Sequence, residues 1–480
     1  MNSGLAVDEL YKALKVELAV RTLMDDHTPQ LYFLTQELQN GVKFMLMDIG
    51  VLCRAELSVD NIYEKRFYLK NIQASISEGY KLIFNFGKLR KKSLWKKLMM
   101  KISEEENKEL INESIEIDKN LEIFGNTEID KELRDLTLHY DDEMIKVYQK
   151  TLSIDSEEKV MQTVCRFWKL LQDIILFTYK VDAYCLEATG IDKIYPSYKI
   201  REEINPFHQY VCDLINKDGK LTNIFKNLPK GVVESLDSMV KYWLSTKRIE
   251  EYAQTKVPTI SVIPEIGNIQ TLTNIQLLLR FMMLDLVAIV DAYIKSSSDI
   301  ESALNLRRVC VIKVSTMVHL YGYTPDEHDH SIWRKLEEMI PNNSDSLKDA
   351  ADEISLILSK IVINIHDKDL RTTFVHLFDN SQACTDIANV VSAIEGINPM
   401  EQIVEIQLLL EVYKRLMNFI TNLMNVLSRN AHEDRLRSTK SINDKMDELI
   451  HKFEESRLPD ELKKQMLYKI LDMKNKINDM

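Results

Sequence analysis

The chain has 480 residues, 45% of them hydrophobic, with a net charge of −12 and only 12 Gly and 10 Pro. That length and apolar content suffice for a large core. So few turn-formers favour long helices, and the acidic balance argues against a protein that coats nucleic acid non-specifically. The six cysteines (Cys53, Cys165, Cys185, Cys212, Cys310, Cys384) form no C-x-x-C pair, which excludes a zinc-ribbon or disulfide framework and fits a reducing cytoplasm.

In chain order, Leu10, Leu14, Leu18 and Leu23 predict an amphipathic helix over 5–24, broken by Asp25-Asp26-His27-Thr28-Pro29. The N-terminus has no signal-peptide pattern. Helices are predicted over 31–56 and 60–86, then a basic run from Lys88 to Lys101, then helices over 104–123 and 156–187. The stretch 190–265 gathers Gly190, Pro196, Pro206, Gly219, Pro229, Gly231, Pro258 and Pro264, so it reads as a connector with one helix over 231–254. A further series follows: a helix from 268, one capped by Ser296-Ser297-Ser298-Asp299 and ended by Gly322, one over 344–365 and one over 399–428. The most apolar window is interrupted by Arg280, Asp285 and Asp291, so no membrane span is expected. Beyond Asn430 the composition turns polar, with two helices predicted on either side of Leu458-Pro459 as a cap or a protein-binding tail.

The two series repeat each other. Lys43-Phe44-Met45-Leu46-Met47-Asp48-Ile49 matches Arg280-Phe281-Met282-Met283-Leu284-Asp285-Leu286, and Asp130-Lys131-Glu132-Leu133-Arg134 matches Asp367-Lys368-Asp369-Leu370-Arg371, both at an offset of 237. Two blocks sharing one offset argue for internal duplication. The expected fold is all-α: two similar four-helix-bundle units over 31–190 and 268–430, with an N-terminal helix (1–30), a helical connector (191–267) and a polar helical tail (431–480).

Each unit carries Arg, four residues, His: Arg134 with His139, and Arg371 with His376. Arginine offers a permanent charge and forked donors to phosphate oxygens, and histidine exchanges protons near neutrality. Together they can serve a phosphodiester attacked by its own 2′-hydroxyl without a metal or other cofactor. On an ideal helix, five residues place Arg134 and His139 about 140° apart. One copy therefore does not aim both side chains at one point, whereas two copies facing a shared cleft would.

This pattern on a short helical bundle resembles the HEPN superfamily. The resemblance implies paired helical units, often in tandem, many of them metal-independent ribonucleases in toxin and antiviral defence systems. It casts Arg134, His139, Arg371 and His376 as catalytic, with Asp130, Asp135, Tyr140 and Asp367 in support. Asp135 fills the family's favoured polar position; Thr372 departs from it. Tyr140 follows His139 directly, where some branches place the Tyr one residue later, and the second unit has Leu377.

A plainer reading stands beside this one. Asp130 and Arg134, like Asp367 and Arg371, sit at i and i+4 and suit a surface ion pair, and the histidines could join helices structurally. Lys91, Lys92, Lys96 and Lys97 around Trp95 could track an RNA backbone, or form a solvated loop with Trp95 in the core. The second is favoured, because Trp333, although followed by Arg334 and Lys335, recurs without the long basic flank that surrounds Trp95. RNA is the expected nucleic acid, and no DNA partner is expected. Asp326-Glu327-His328-Asp329-His330 reads as an exposed loop. Asp48 and Asp285, acids among apolar residues, are expected to meet an Arg, with the motif Arg of the same unit as the candidate.

Overall fold

The computed structural model describes residues 3–21, 30–86, 91–130, 133, 151, 154, 156–189, 264–364, 387–455 and 459–478. Among these the chain is helical throughout and contains no strand. The helices are α1 (Ser3–Arg21), α2 (Gln30–Leu57), α3 (Ile62–Ile83), α4 (Leu94–Glu104), α5 (Lys108–Thr127) and α6 (Glu157–Thr189) in the first half. The second half holds α7 (Pro264–Ile294), α8 (Asp299–Leu320), α9 (Pro325–Asp329), α10 (Ile332–Glu338), α11 (Asp345–Asn364), α12 (Ile387–Glu395), α13 (Pro399–Glu455) and α14 (Asp460–Asn478). No helix among the described residues is long and apolar enough to cross a membrane.

Local chemistry fixes the ends. The side chains of Asn61 and Ser298 cap α3 and α8, accepting from Glu64 and Glu301 amides respectively. Both helices end alike. The amides of Asn85 and Gly322, at φ 60° and 80°, return to the carbonyls of Tyr80 and Met317. Ser93 and Ser331 cap α4 and α10.

Two helices form the centre. Residues 34–52 of α2 are buried without a break, and α7 is buried on nearly every side from Leu272 to Tyr293, as helices enclosed all round must be. α2 packs on α1, α3, α4 and α6, and α5 packs on α6; α7 packs on α8 and α13, and α11 packs on α13. Across the middle, α2 touches α8 while α7 touches α3. Close crossing of α2 and α3 depends on two glycines: a Cβ at Gly41 would stand 2.6 Å from Leu82 Cδ2, and one at Gly79 2.6 Å from Met45 Sδ.

Several departures from the sequence reading have physical causes. The break expected near 430 falls inside α13, one helix of 57 residues; neither Gly nor Pro occurs between Pro399 and Glu455 to stop it. The basic run lies partly on α4 rather than in a loop. Asp326 to Asp329 belong to a one-turn helix with a Thr324–Glu327 capping box, and His328 Nδ1 pairs with the Tyr321 carbonyl at 2.8 Å. The predicted connector helix over 231–254 lies outside the described residues.

Candidate functional site

Arg134, Asp135, His139, Tyr140, Asp367, Arg371 and His376 lie outside the described residues. What surrounds their segments is described. Asp130 Oδ1 accepts from the Leu133 amide at 2.9 Å, an i to i+3 contact of the kind a helix N-cap makes. Just before it, Glu128 accepts from Thr163 at 2.7 Å and pairs with Arg166, fixing the end of α5 beside the start of α6. In the second half, Lys313 of α8 holds Gln402 and Glu405 in the first turns of α13.

The seam between the halves carries buried ion pairs. Asp48, 1% exposed, sits 2.6 Å from Arg308 and 3.1 Å from Arg307, both on α8, and accepts from Ser75 at 2.9 Å. Burial works against its ionisation, but the two guanidinium groups outweigh it and hold the carboxyl below its ordinary range. Asp285, also buried, lies 2.5 Å from Lys70 on α3. Among the described residues the partners are thus cations of the opposite half; the motif arginines that were expected there lie outside those residues. A further signal was available: Lys70 and Arg307 stand at the same 237 offset as the two aspartates.

The seam has a clear orientation. Arg54, near the end of α2, donates to Ser297 and to Glu301 (2.6 Å) at the start of α8. Glu64, in the first turn of α3, feels Asp291 and Lys295 at the end of α7; burial first, then Asp291, raises its pKa. Lys65 reaches Glu157 in the first turn of α6 at 2.9 Å. The α2–α3 corner, the α7–α8 corner and the start of α6 therefore meet at one end of the molecule.

The basic stretch is less open than a groove for RNA would be. Lys91 and Lys92 are exposed, but Lys97 is half-buried, and Lys96 pairs with Asp118 at 2.5 Å while lying over the Phe84 ring. Trp95 is fully buried against Phe177, as the reading that puts it in the core expects, though on a helix and not in a loop, and Trp333 packs likewise against Phe419.

Sequence reasoning missed a second buried polar cluster. Asp182 of α6 accepts from Thr35, Gln36 (3.2 Å) and Gln39 (2.6 Å) of α2. Burial pushes its carboxyl up to about 6, against the opposing effect of these donors and Lys43. Nothing in the run Thr35-Gln36-Glu37 signals that it is enclosed. Among the described residues no three His, Cys, Asp or Glu side chains form a metal-binding group, and no disulfide joins Cys53, Cys165, Cys185 or Cys310. No family model, curated protein or solved structure matches this chain.

Proposed function

We propose that the chain is a metal-independent RNA endonuclease built from two fused, duplicated HEPN-like helical units, acting in toxin or antiviral defence. One observation carries the reading: Arg-x4-His recurs at the offset shared by the surrounding blocks. Duplication is supported by the matched helix caps, the matched Trp95–Phe177 and Trp333–Phe419 pairs, and one burial pattern in the closing helices. Val160, Val164, Phe167, Ile174, Phe177 and Val181 of α6 answer to Gln402, Ile406, Leu409, Leu416, Phe419 and Leu423 of α13, all buried at an offset of 242.

A pocket on the seam is supported by its orientation around the first motif segment, since α6, which follows that segment, starts where the α2–α3 and α7–α8 corners meet. There, one histidine takes the proton of a 2′-hydroxyl as its oxygen attacks phosphorus. The other protonates the departing 5′-oxygen. Arg134 and Arg371 neutralise the phosphorane oxygens. The products are a 2′,3′-cyclic phosphate and a free 5′-hydroxyl.

The test is incubation of the purified chain with single-stranded RNA in EDTA. Cyclic-phosphate ends that disappear in His139→Ala support the proposal; intact RNA under all conditions refutes it. A second reading, a non-catalytic helical scaffold for a protein or nucleotide, is favoured by the engagement of Lys96 with Asp118, which removes one cation from any RNA path. It predicts ligand binding without cleavage.

A further inference from the structure

Beyond residue 430, α13 leaves the body and pairs with α14 as an antiparallel hairpin. Lys474 meets Asp447 at 2.5 Å and Lys463 meets the Glu454 carbonyl at 3.1 Å. Of its described side chains only Ile470 is buried. Helices this far from a core need an apolar face covered to be stable.

The uncovered face is continuous. Thr439, Asn443, Met446 and Ile450 of α13, with Lys463, Leu467, Ile470 and Lys474 of α14, are the partly or fully buried positions where the two helices meet. At about 100° per residue, Ile442 and Leu449 then lie to one side of the α13 contact stripe. Leu462, Met466 and Met473 lie to the corresponding side of α14. Because the helices run in opposite directions, both sets face the same way. These five side chains are each between 40% and 47% exposed.

The rim of that face is basic. Lys445, Lys452 and Lys469 each follow an apolar face residue by three positions, and all three are exposed, with Lys452 also 2.5 Å from Glu448. We infer that this hairpin is the docking surface for an acidic amphipathic helix of a protein partner, which would complete a three-helix bundle. Two methionines in the groove suit it to a helix of varied side chains. A second copy of this chain fits poorly: an isologous contact would set the lysine rim against itself. The inference is independent of the nuclease proposal.

The test uses the full chain and two labelled synthetic helices about three heptads long, with leucine on the apolar face and either glutamate or lysine on the polar face. Fluorescence anisotropy should show saturable binding of the glutamate peptide, at least about tenfold tighter than the lysine peptide. Leu449→Glu with Met466→Glu should abolish binding. Lys445→Glu, Lys452→Glu and Lys469→Glu together should reverse the peptide preference, and circular dichroism should show unchanged helicity in both variants. Equal binding of the two peptides, or none, overturns the inference. So does a sedimenting dimer, or flotation with phosphatidylserine vesicles, that the Leu449/Met466 variant loses.

Discussion

Asp48 and Asp285 each reach across the seam to a cation of the other half, and the cations, Arg307 and Lys70, are related by the same 237 positions as the acids. The contact is one interaction made twice in opposite directions, as in the isologous interface of a symmetric dimer. The two contacts differ in one respect. Arg308 adds a second guanidinium to Asp48, whereas the matching position beside Lys70 is Asn71.

Removing one member of a buried pair leaves the other charge uncompensated, which costs about 3–5 kcal/mol. Asp48→Ala strands two buried arginines, so it should lower the urea midpoint more than Asp285→Ala does. Asp285→Leu combined with Lys70→Met should recover most of the loss, since a packed apolar pair replaces a buried ionic one at little cost. Acid should act through the same site. The Asp48 carboxyl is held below its ordinary pKa, so its contribution is present above the unfolded value and lost as pH falls through the folded one. Asp48→Asn should flatten that acid limb of the stability curve.

Asp182 should behave in the opposite sense. Its folded pKa of about 6 exceeds the unfolded value, so the native state holds the extra proton and is favoured below the unfolded pKa. Stability from this group fades as pH rises from about 4 to about 6. Asp182→Asn keeps an acceptor for Thr35 and the two glutamines while carrying no charge. It should be more stable than the parent at pH 7 and show no slope across that window in pH-dependent denaturation.

The buried tryptophans give a paired comparison. Trp333 Nε1 donates to Ser355 at 2.8 Å, whereas Trp95 Nε1 is buried with no acceptor; at the position matching Ser355 the first half has Asp118, which is turned to Lys96. Trp→Phe at 333 loses a hydrogen bond and strands part of the serine's bonding, worth about 1 kcal/mol beyond the packing loss. At 95 the same change removes an unsatisfied donor. Trp333→Phe should therefore be the more destabilising of the two in guanidinium titrations.

Much of this architecture was legible before the structure, for reasons specific to each residue. Ser298 and Gly322 bracket α8 because a hydroxyl satisfies orphan amides and glycine accepts a positive φ. Asn85, the less obvious residue at the matching place, gives the first half the same ending. Two things were not legible. The drop in apolar content after Asn430 marks where α13 leaves the body, not where the helix stops, because solvation changes composition without breaking backbone hydrogen bonds. Nor does an acid in an apolar run name its partner: Asp48 needed a cation, and only the fold brings it one from 260 residues away. Of the candidate site the sequence offers a spacing, Arg-x4-His, whose four side chains lie outside the described residues.

The histidines provide the sharpest test of a shared pocket. If His139 and His376 served separate sites, each single alanine variant would retain about half of the RNA cleavage and the double variant would lose all of it. If they act as base and acid on one phosphodiester, either single change should lower the rate by about 10²–10⁴, the usual worth of a positioned proton-transfer group. The double variant should then be little slower than the worse single one, because residues that act as a unit are non-additive. The same reasoning extends to the seam. Asp285→Leu with Lys70→Met should preserve stability yet shift the two halves, so a cleavage loss in that variant at full helicity would tie catalysis to their alignment. Single-turnover rates for these four variants, measured in EDTA against one RNA, separate the alternatives.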